Sequence, residues 1–489
     1  MNKSFNWKSL TEKELDGVFK GISFKIPPRW HQAISVAFAV DNEDHRVIFL
    51  HGVGTGKTLC SLFTAQVWKC KKILVICPSS AFGAWERDIQ KGTDYSYTFL
   101  VGTAKERLRE LKKKHDVKII NYEGLKSIYC KLVKFGKKRR WKIQSTFSDN
   151  FDCIIMDEAH RCNNYKSLQT KICYTLSKKA EYVIGMTGTA VDKSMLELFN
   201  MYKVVDLGRS LGSSFFAYRQ LYFSMAYFDW NLKKGSKNKI LRRISNNTIS
   251  FDREECMDLP ELQEVEFPVT ASKEYLDYQD RIIRSLSFTV AGVEVENSED
   301  TPKANWLREL SGGFLYYNED DKKDIYRLKK NPKLEALLDL IQDTQSKILV
   351  FYWYTEEKNL IEKMLKKNKI GSVSVYGGQD SIERKEDVKK FSNDSNIQVM
   401  IAQSRISEGY DASVANIAVF FLPLGSPRMR TQCVGRIYRS GQMRKCIVFD
   451  LVLKDSVDIN IIKDRGKRYS LVNSVKKYMR EYCQESGEI

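Results

Sequence analysis

The sequence has 489 residues, 43% of them hydrophobic and 29% charged, which excludes a disordered or fibrous chain; at roughly 150 residues per domain there is room for two to four. Lys and Arg total 80 against 61 Asp and Glu, a net charge of +19, and so large an excess favours a polyanionic partner such as nucleic acid. The eleven cysteines form no CxxC pair and no zinc-ligand spacing, the N-terminus lacks the apolar core of a signal peptide, and no apolar run is long enough to span a membrane. These features predict reduced thiols and an intracellular, cytoplasmic protein (a host cytoplasm, if the chain is viral).

Along the chain, short apolar runs rich in β-branched residues alternate with longer amphipathic stretches. VIFLHG (47–52), ILVICP (73–78), VKIINY (117–122), CIIMDE (153–158) and YVIGMTGT (182–189) read as buried parallel strands with helices between them. The rhythm returns in KILVFYWY (347–354), SVSVYGG (372–378), IQVMIAQS (397–404), IAVFFLP (417–423) and CIVFDLV (446–452). The expected fold class is α/β, with two doubly wound parallel-sheet domains at 1–205 and 331–458. Between them, 206–330 lacks the strand rhythm and reads as a mostly helical bridge and insertion. VEVENSEDTPKA (293–304) is the expected flexible loop, and 459–489 a basic helical tail. The aromatic stripe from Phe215 to Trp230 is expected to be packing of the bridge rather than a base-stacking platform.

HGVGTGKT (51–58) follows a strand and opens an apolar helix, the context of a phosphate-binding loop. Gly54 and Gly56 let the backbone wrap a phosphate, and the N–H groups around Thr55 face the anion. Lys57 would reach the β- and γ-phosphates, and Thr58 would offer its hydroxyl to Mg²⁺. His51 stands where the strict pattern has glycine. DEAH (157–160) ends another buried strand: Asp157 would hold Mg²⁺, and Glu158 would polarise the attacking water. In QCVGRIYRSGQ (432–442), Arg436 and Arg439 are three apart, predicting one face of a helix and a pair of arginine fingers.

In this order these segments resemble helicase superfamily two, and within it the Swi/Snf-like translocases, from about residue 26 to 457. Phage branch-migration helicases are also similar. The resemblance implies two RecA-like domains that bind ATP and Mg²⁺. PPRWHQ (27–32) resembles the adenine-reading segment, with Arg29 and Gln32 at the nucleotide; Gly409, Asp411 and Gln432 would join it from the second domain. ICPSSAFGAWERDI (76–89) resembles the family's "CP…W" element, INYEGL (120–125) its "SYE.L" element, and YGGQDSIERKEDVKKF (376–391) its "G…R…F" element. Thr187, Gly188 and Thr189, with His160, resemble the motif that couples ATP to nucleic acid. Departures are TGTA for TGTP, and QSRISEGYDAS (403–413) for a glycine-rich element, with Asp411 in place of Asn.

The resemblance also implies nucleic-acid contacts from Ser79, Ser80, Asn121 and Tyr122 in the first domain, and from Tyr376, Gly377, Gln403 and Ser404 in the second. Two basic clusters stand out independently: 131–142, including Lys138 and Arg139, and 463–480. The partner is expected to be DNA, duplex or branched, with RNA as an alternative, and not a membrane. Three functions compete: a duplex translocase that remodels or branch-migrates DNA, a strand-separating helicase, and an ATP-gated interaction module in a transcription or defence complex.

Overall fold

The computed structural model describes residues 10–19, 21–135, 138–143, 151–226, 229–284, 287–296, 300–319, 322–406 and 410–485. They form two compact units: residues 1–257 with 470–489, and residues 258–469.

In the first unit the strands in chain order are β1 (Arg46–Phe49), β2 (Ile73–Cys77), β3 (Tyr97–Phe99), β4 (Val117–Asn121), a hairpin of β5 (Cys130–Phe135) and β6 (Lys138–Ile143), β7 (Cys153–Asp157), β8 (Tyr182–Met186), a hairpin of β9 (Phe223–Ala226) and β10 (Asp229–Leu232), and β11 (Thr248–Ile249). Seven make one parallel sheet in the order β11-β1-β8-β7-β2-β4-β3. Both faces are covered, because successive residues pack into opposite cores. Ile48, Leu74, Ile76 and Ile154 enter one core, while Val47, Phe49, Val75 and Ile155 enter the other. This is why these strands read as continuous apolar runs rather than as alternating ones.

The second unit repeats the plan. Its strands are β12 (Leu262–Val269), the hairpins β13 (Ser287–Val290) with β14 (Val293–Glu296) and β15 (Phe314–Glu319) with β16 (Lys322–Arg327), then β17 (Ile348–Tyr352), β18 (Gly371–Val375), β19 (Ile397–Gln403), β20 (Ile417–Phe420) and β21 (Cys446–Leu453). The parallel sheet runs β12-β21-β20-β17-β19-β18. Ile348 and Val350 face one core, Leu349 and Phe351 the other.

The α/β expectation holds, and the bridge is where the sequence misled. The stretch 206–330 is not one helical body. It is divided at Met257, and it contributes an edge strand to each sheet as well as three hairpins. β11 is only two residues long and β12 alternates exposed and half-buried positions, so neither shows the long apolar run of a central strand. The expected flexible loop contains β14 and the start of a helix, Asp300–Ser311, while 297–299 lies outside the described residues. Tyr218, Tyr222 and Phe223 of the aromatic stripe are buried, as packing residues should be; Phe216 is 58% exposed, and 227–228 lies outside the described residues.

The tail does form a helix, Val457–Glu485, but several of its cations are structural. Arg465 pairs with the buried Asp450 at 2.9 Å, Arg468 donates to the Gly425 carbonyl at 3.0 Å, and Lys476 pairs with Asp252 at 3.2 Å. No helix of the described residues is long and apolar enough to cross a membrane.

Candidate nucleotide and nucleic-acid sites

The phosphate loop leaves β1 and enters the helix Lys57–Val67. Gly54 and Gly56 have φ of +86° and +80°, a region that residues with a Cβ rarely enter. A Cβ on Gly56 would also lie 2.7 Å from Nε2 of Gln32, so a side chain there would displace that amide from the loop. The loop is braced from several sides. The Thr55 hydroxyl donates to the Gly52 carbonyl at 2.9 Å, His31 Nε2 lies 2.8 Å from the Thr55 carbonyl, and Gln32 Nε2 donates to the Gly56 carbonyl. The backbone N–H of Arg29 donates to Gln32 Oε1 at 2.8 Å, so the two nucleotide residues expected in PPRWHQ are joined to each other and then to the loop.

His51, the departure from the glycine pattern, is accommodated because its side chain turns inward. The ring is fully buried, stacks on Phe49, and has Nε2 2.9 Å from Ser35 Oγ. Its carbonyl and that of Gly52 accept from Lys57 Nζ at 3.2 and 3.0 Å. Burial pushes the Lys57 ammonium below the usual lysine range, and the Glu158 and Asp157 carboxylates pull it back. Both carboxylates therefore lie within electrostatic reach of the lysine that would hold phosphate.

Asp157 ends β7, and Glu158 follows in the left-handed region at φ 52°, a strained position for a residue with a side chain. Asp157 is held twice: the Trp85 indole Nε1–H donates to its Oδ2 at 3.1 Å, and the Tyr122 hydroxyl donates to its carbonyl at 2.8 Å. The Thr187 hydroxyl lies 3.3 Å from Glu158 Oε2 and 2.9 Å from His160 Nδ1, and His160 Nδ1 is 3.1 Å from the same carboxylate oxygen. Glu158, His160 and Thr187 thus form one cluster, while the Thr189 N–H donates to Thr187 Oγ1 at 3.2 Å. A Cβ on Gly188 would come 3.2 Å from Val53, which sets this segment against the phosphate loop.

The Thr58 hydroxyl hydrogen-bonds Asp88, whose carboxyl is raised above its usual range chiefly by burial. The described residues contain no cluster of three or more His, Cys, Asp or Glu that could hold a metal ion by itself. A cation at Thr58 and Asp157 would need the nucleotide's phosphates and water to complete its shell, a set of ligands that suits Mg²⁺.

In the second unit Arg436 and Arg439 depart from the expected geometry. The helix Pro427–Val434 stops before them, and Gly435 caps it with its N–H on the Thr431 carbonyl. Both arginines sit in the turns that follow, not on one helical face. Arg436 donates to the Tyr410 carbonyl at 2.9 Å, and Arg439 pairs with Asp411 at 3.4 Å. Asp411, expected at the nucleotide, is therefore engaged by an arginine of its own unit. The turn is clamped by the buried Gln442, whose amide reaches the carbonyls of Ser413, Ala415 and Ile437. Gln432 is half-buried, and Gly409 lies outside the described residues.

The expected nucleic-acid residues divide by burial. Ser79 and Gly377 are exposed, and Ser80, Asn121, Tyr376 and Gln403 are half-buried. Gln403 accepts from the Gly377 N–H at 2.9 Å, which brings two of them together. Tyr122 and Ser404 are corrections: each is 1% exposed, with its hydroxyl donating inward, to the Asp157 carbonyl and the Tyr352 carbonyl respectively. A side chain fixed in that way has no face for a phosphate. Lys138 and Arg139 lie on β6, paired with Phe135 and Lys134, and their side chains are outside the described residues.

Sequence reasoning missed a cation beside Ser404. Arg405 is exposed and lies 4.2 Å from the Trp353 ring, whose other guanidinium neighbour is Arg308 at 4.5 Å. The tryptophan immediately after β17 was the available signal.

Two family models match this chain. "Type III restriction enzyme, res subunit" covers residues 25–192, and "Helicase conserved C-terminal domain" covers residues 332–441; together they span more than half of it. A "SWI/SNF-related matrix-associated actin-dependent regulator of chromatin subfamily A-like protein 1 homolog" of Caenorhabditis elegans is 24% identical over 88% of this chain and 59% of its own length. The "Uncharacterized ATP-dependent helicase YqhH" of Bacillus subtilis is 23% identical over 93% of this chain and 81% of its own. The chain thus spans less than two thirds of the first relative and most of the second. The solved structure of the "Sulfolobus solfataricus SWI2/SNF2 ATPase core in complex with dsDNA" is 18% identical, with 94% of this chain and 95% of that one covered at a TM-score of 0.42. With the glycine loop and the DEAH segment on one sheet, the arginine turn on a second, and both family models in that order, the chain belongs to helicase superfamily two, in the Swi/Snf-like branch of helicase-like ATPases.

Proposed function

We propose that the protein is an ATP-driven DNA motor that translocates on the duplex and remodels or branch-migrates it. The observation that carries the ATP half is the convergence of the glycine loop, Lys57, Asp157 and the Glu158–His160–Thr187 cluster at the carboxyl ends of one parallel sheet. Mg²⁺ would be held by Thr58 and Asp157, and Glu158 would orient the attacking water. Arg436 and Arg439 would supply charge to the transition state.

The DNA half is supported by the +19 charge, by the exposed or half-buried polar groups at Ser79, Ser80, Asn121, Tyr376, Gly377 and Gln403, and by the exposed Arg405. Hydroxyl, amide and backbone donors grip phosphate without reading sequence. The deciding experiment is the ATPase rate measured with duplex DNA, single-stranded DNA, branched DNA and RNA side by side. Duplex or branched DNA should stimulate most; stimulation by RNA alone would overturn the reading.

A second reading has one observation in its favour. The β5–β6 hairpin carries a run of basic residues in the first unit, with Trp141 41% exposed and Lys126 over its ring at 4.0 Å. A hairpin of this kind can act as a wedge between paired strands, so unwinding of a forked substrate that is abolished by deleting 132–141 would favour a strand-separating helicase.

A further inference from the structure

Asp157 is gripped by both of the elements that carry outward polar groups at Ser79, Ser80 and Asn121. Trp85, fully buried, stands on the helix Phe82–Gly92, just after Ser79 and Ser80, and donates its indole N–H to Asp157 Oδ2. Tyr122 follows Asn121 directly and donates its hydroxyl to the Asp157 carbonyl. A third tie joins the same elements: Asn121 Nδ2 donates to Glu123 Oε2 at 3.0 Å, and Glu123 Oε1 pairs with Arg161, next to the DEAH segment, at 3.4 Å. Each short element thus faces two ways. Its exposed end carries groups suited to phosphate, and its buried end carries a donor on the residue that would hold Mg²⁺.

We infer that Trp85 and Tyr122 are positioning residues through which nucleic acid bound at Ser79, Ser80 and Asn121 sets the orientation of Asp157, and so the affinity of the site for Mg²⁺. The inference rests on the DNA reading proposed above. The indole N–H holds the carboxylate at Oδ2, and the Tyr122 hydroxyl holds the main chain of the same residue. A shift of the Trp85 helix would turn the carboxylate through its Oδ2, and a shift at Tyr122 would move the main chain that carries it. Groups that orient a metal ligand from behind commonly alter metal affinity by about 10- to 100-fold when they are removed. Linkage also requires the effect to run both ways: whatever factor DNA adds to Mg²⁺ binding, Mg²⁺ adds to DNA binding.

The test uses the full chain and two conservative variants, Trp85→Phe and Tyr122→Phe, which keep an aromatic ring and remove the donor. Two quantities are read: the Mg²⁺ concentration for half-maximal ATPase with and without duplex DNA, and, independently of turnover, duplex affinity in a non-hydrolysable ATP analogue with and without Mg²⁺. In the parent, DNA should lower the Mg²⁺ requirement, and Mg²⁺ should tighten DNA binding by the same factor. In each variant both factors should shrink toward one, with the half-saturating Mg²⁺ in the presence of DNA raised on the order of 10-fold. If the parent responds to DNA and both variants keep the parent's two factors, the relay is wrong while the DNA motor stands. If nucleic acid of no kind affects the parent, the DNA reading fails and the relay with it. A variant whose thermal unfolding matches the parent's while its coupling is lost excludes simple misfolding as the cause.

Discussion

Both units bury charge in the frame of the sheet, Arg46 and Asp206 in the first among them, but they differ in how their candidate site groups are held. In the first unit polar side chains turn inward around the site: Trp85 and Tyr122 on Asp157, Thr187 and His160 on Glu158, Gln32 and His31 on the phosphate loop. In the second unit the arginine turn is half-exposed, and the buried ions lie in the frame of the sheet. Lys333 pairs with Asp458 at 2.6 Å with both side chains essentially inaccessible, and Asp450 receives both Arg430 and Arg465. Glu357 is also fully buried, and its Oε1 has no hydrogen-bond partner among the described residues. The contrast suggests a division of labour. A site proposed to hold phosphate and metal in fixed geometry is preorganised. Arginines that act only on the transition state can instead rest on a carbonyl or a carboxylate of a neighbouring loop.

The sharpest way to break this contrast is at the charged groups themselves. Arg436→Ala or Arg439→Ala should lower turnover by about 10³–10⁵ with little change in ATP affinity, because finger charge acts on the transition state. Steady-state ATPase beside nucleotide binding checks it, and parent-like turnover in both variants would remove the arginines from the chemistry. Glu158→Gln should keep ATP binding and slow hydrolysis by about 10²–10⁴. Single-turnover kinetics would settle it, with near-normal rates excluding Glu158 as the group that activates water.

The frame of the second unit gives the next effects. Lys333→Met leaves Asp458 buried without its cation and should destabilise that unit by about 3–5 kcal/mol. In urea unfolding its transition should move while that of the first unit stays. Burial lifts the Glu357 carboxyl from its ordinary 4.5 to about 7. Below the lower value Glu357 is protonated whether folded or unfolded. As pH rises from about 4.5 to about 7, the unfolded chain loses its proton first, so the fold loses about 3 kcal/mol, and the loss persists above that window. Stability measured at pH 5 and pH 8 should show the decline, and Glu357→Gln should flatten it; an equal slope in the variant would assign the decline to other groups.

The smallest effect concerns the hairpin. Replacing Lys137, Lys138, Arg139 and Arg140 with Ala should weaken DNA binding alike for all sequences. The log–log salt slope should shrink by about one unit for each phosphate no longer neutralised. ATPase at saturating DNA should remain near the parent's, since none of these residues belongs to the phosphate site. An unchanged salt slope would mean that the hairpin's charge is only solvated surface.

Much of this molecule was legible in its sequence, for local reasons. A strand buried on both faces must be a continuous apolar run, so the central strands of both sheets announced themselves. A phosphate loop needs glycine at fixed offsets between a strand and a helix, and DEAH needs a strand end, so spacing alone put Gly54 and Gly56 in the turn before the helix that opens at Lys57, and Asp157 at the end of a strand. What the tertiary structure decided is which polar side chains face inward. Tyr122 and Ser404 look in sequence like surface donors beside Asn121 and Gln403, yet their hydroxyls close on the Asp157 and Tyr352 carbonyls. Trp85 reads as an apolar helix residue, yet its indole N–H meets Asp157, 72 positions further along the chain. Arg436 and Arg439 have helical spacing, but the helix ends at Val434 and Gln442 clamps the following turn to a distant loop. The division of the bridge at Met257 rests on two edge strands that only their neighbours make into strands. In each case the deciding partner is far away in sequence, and a buried donor or acceptor must find such a partner because leaving it unpaired costs about as much as the bond it forgoes.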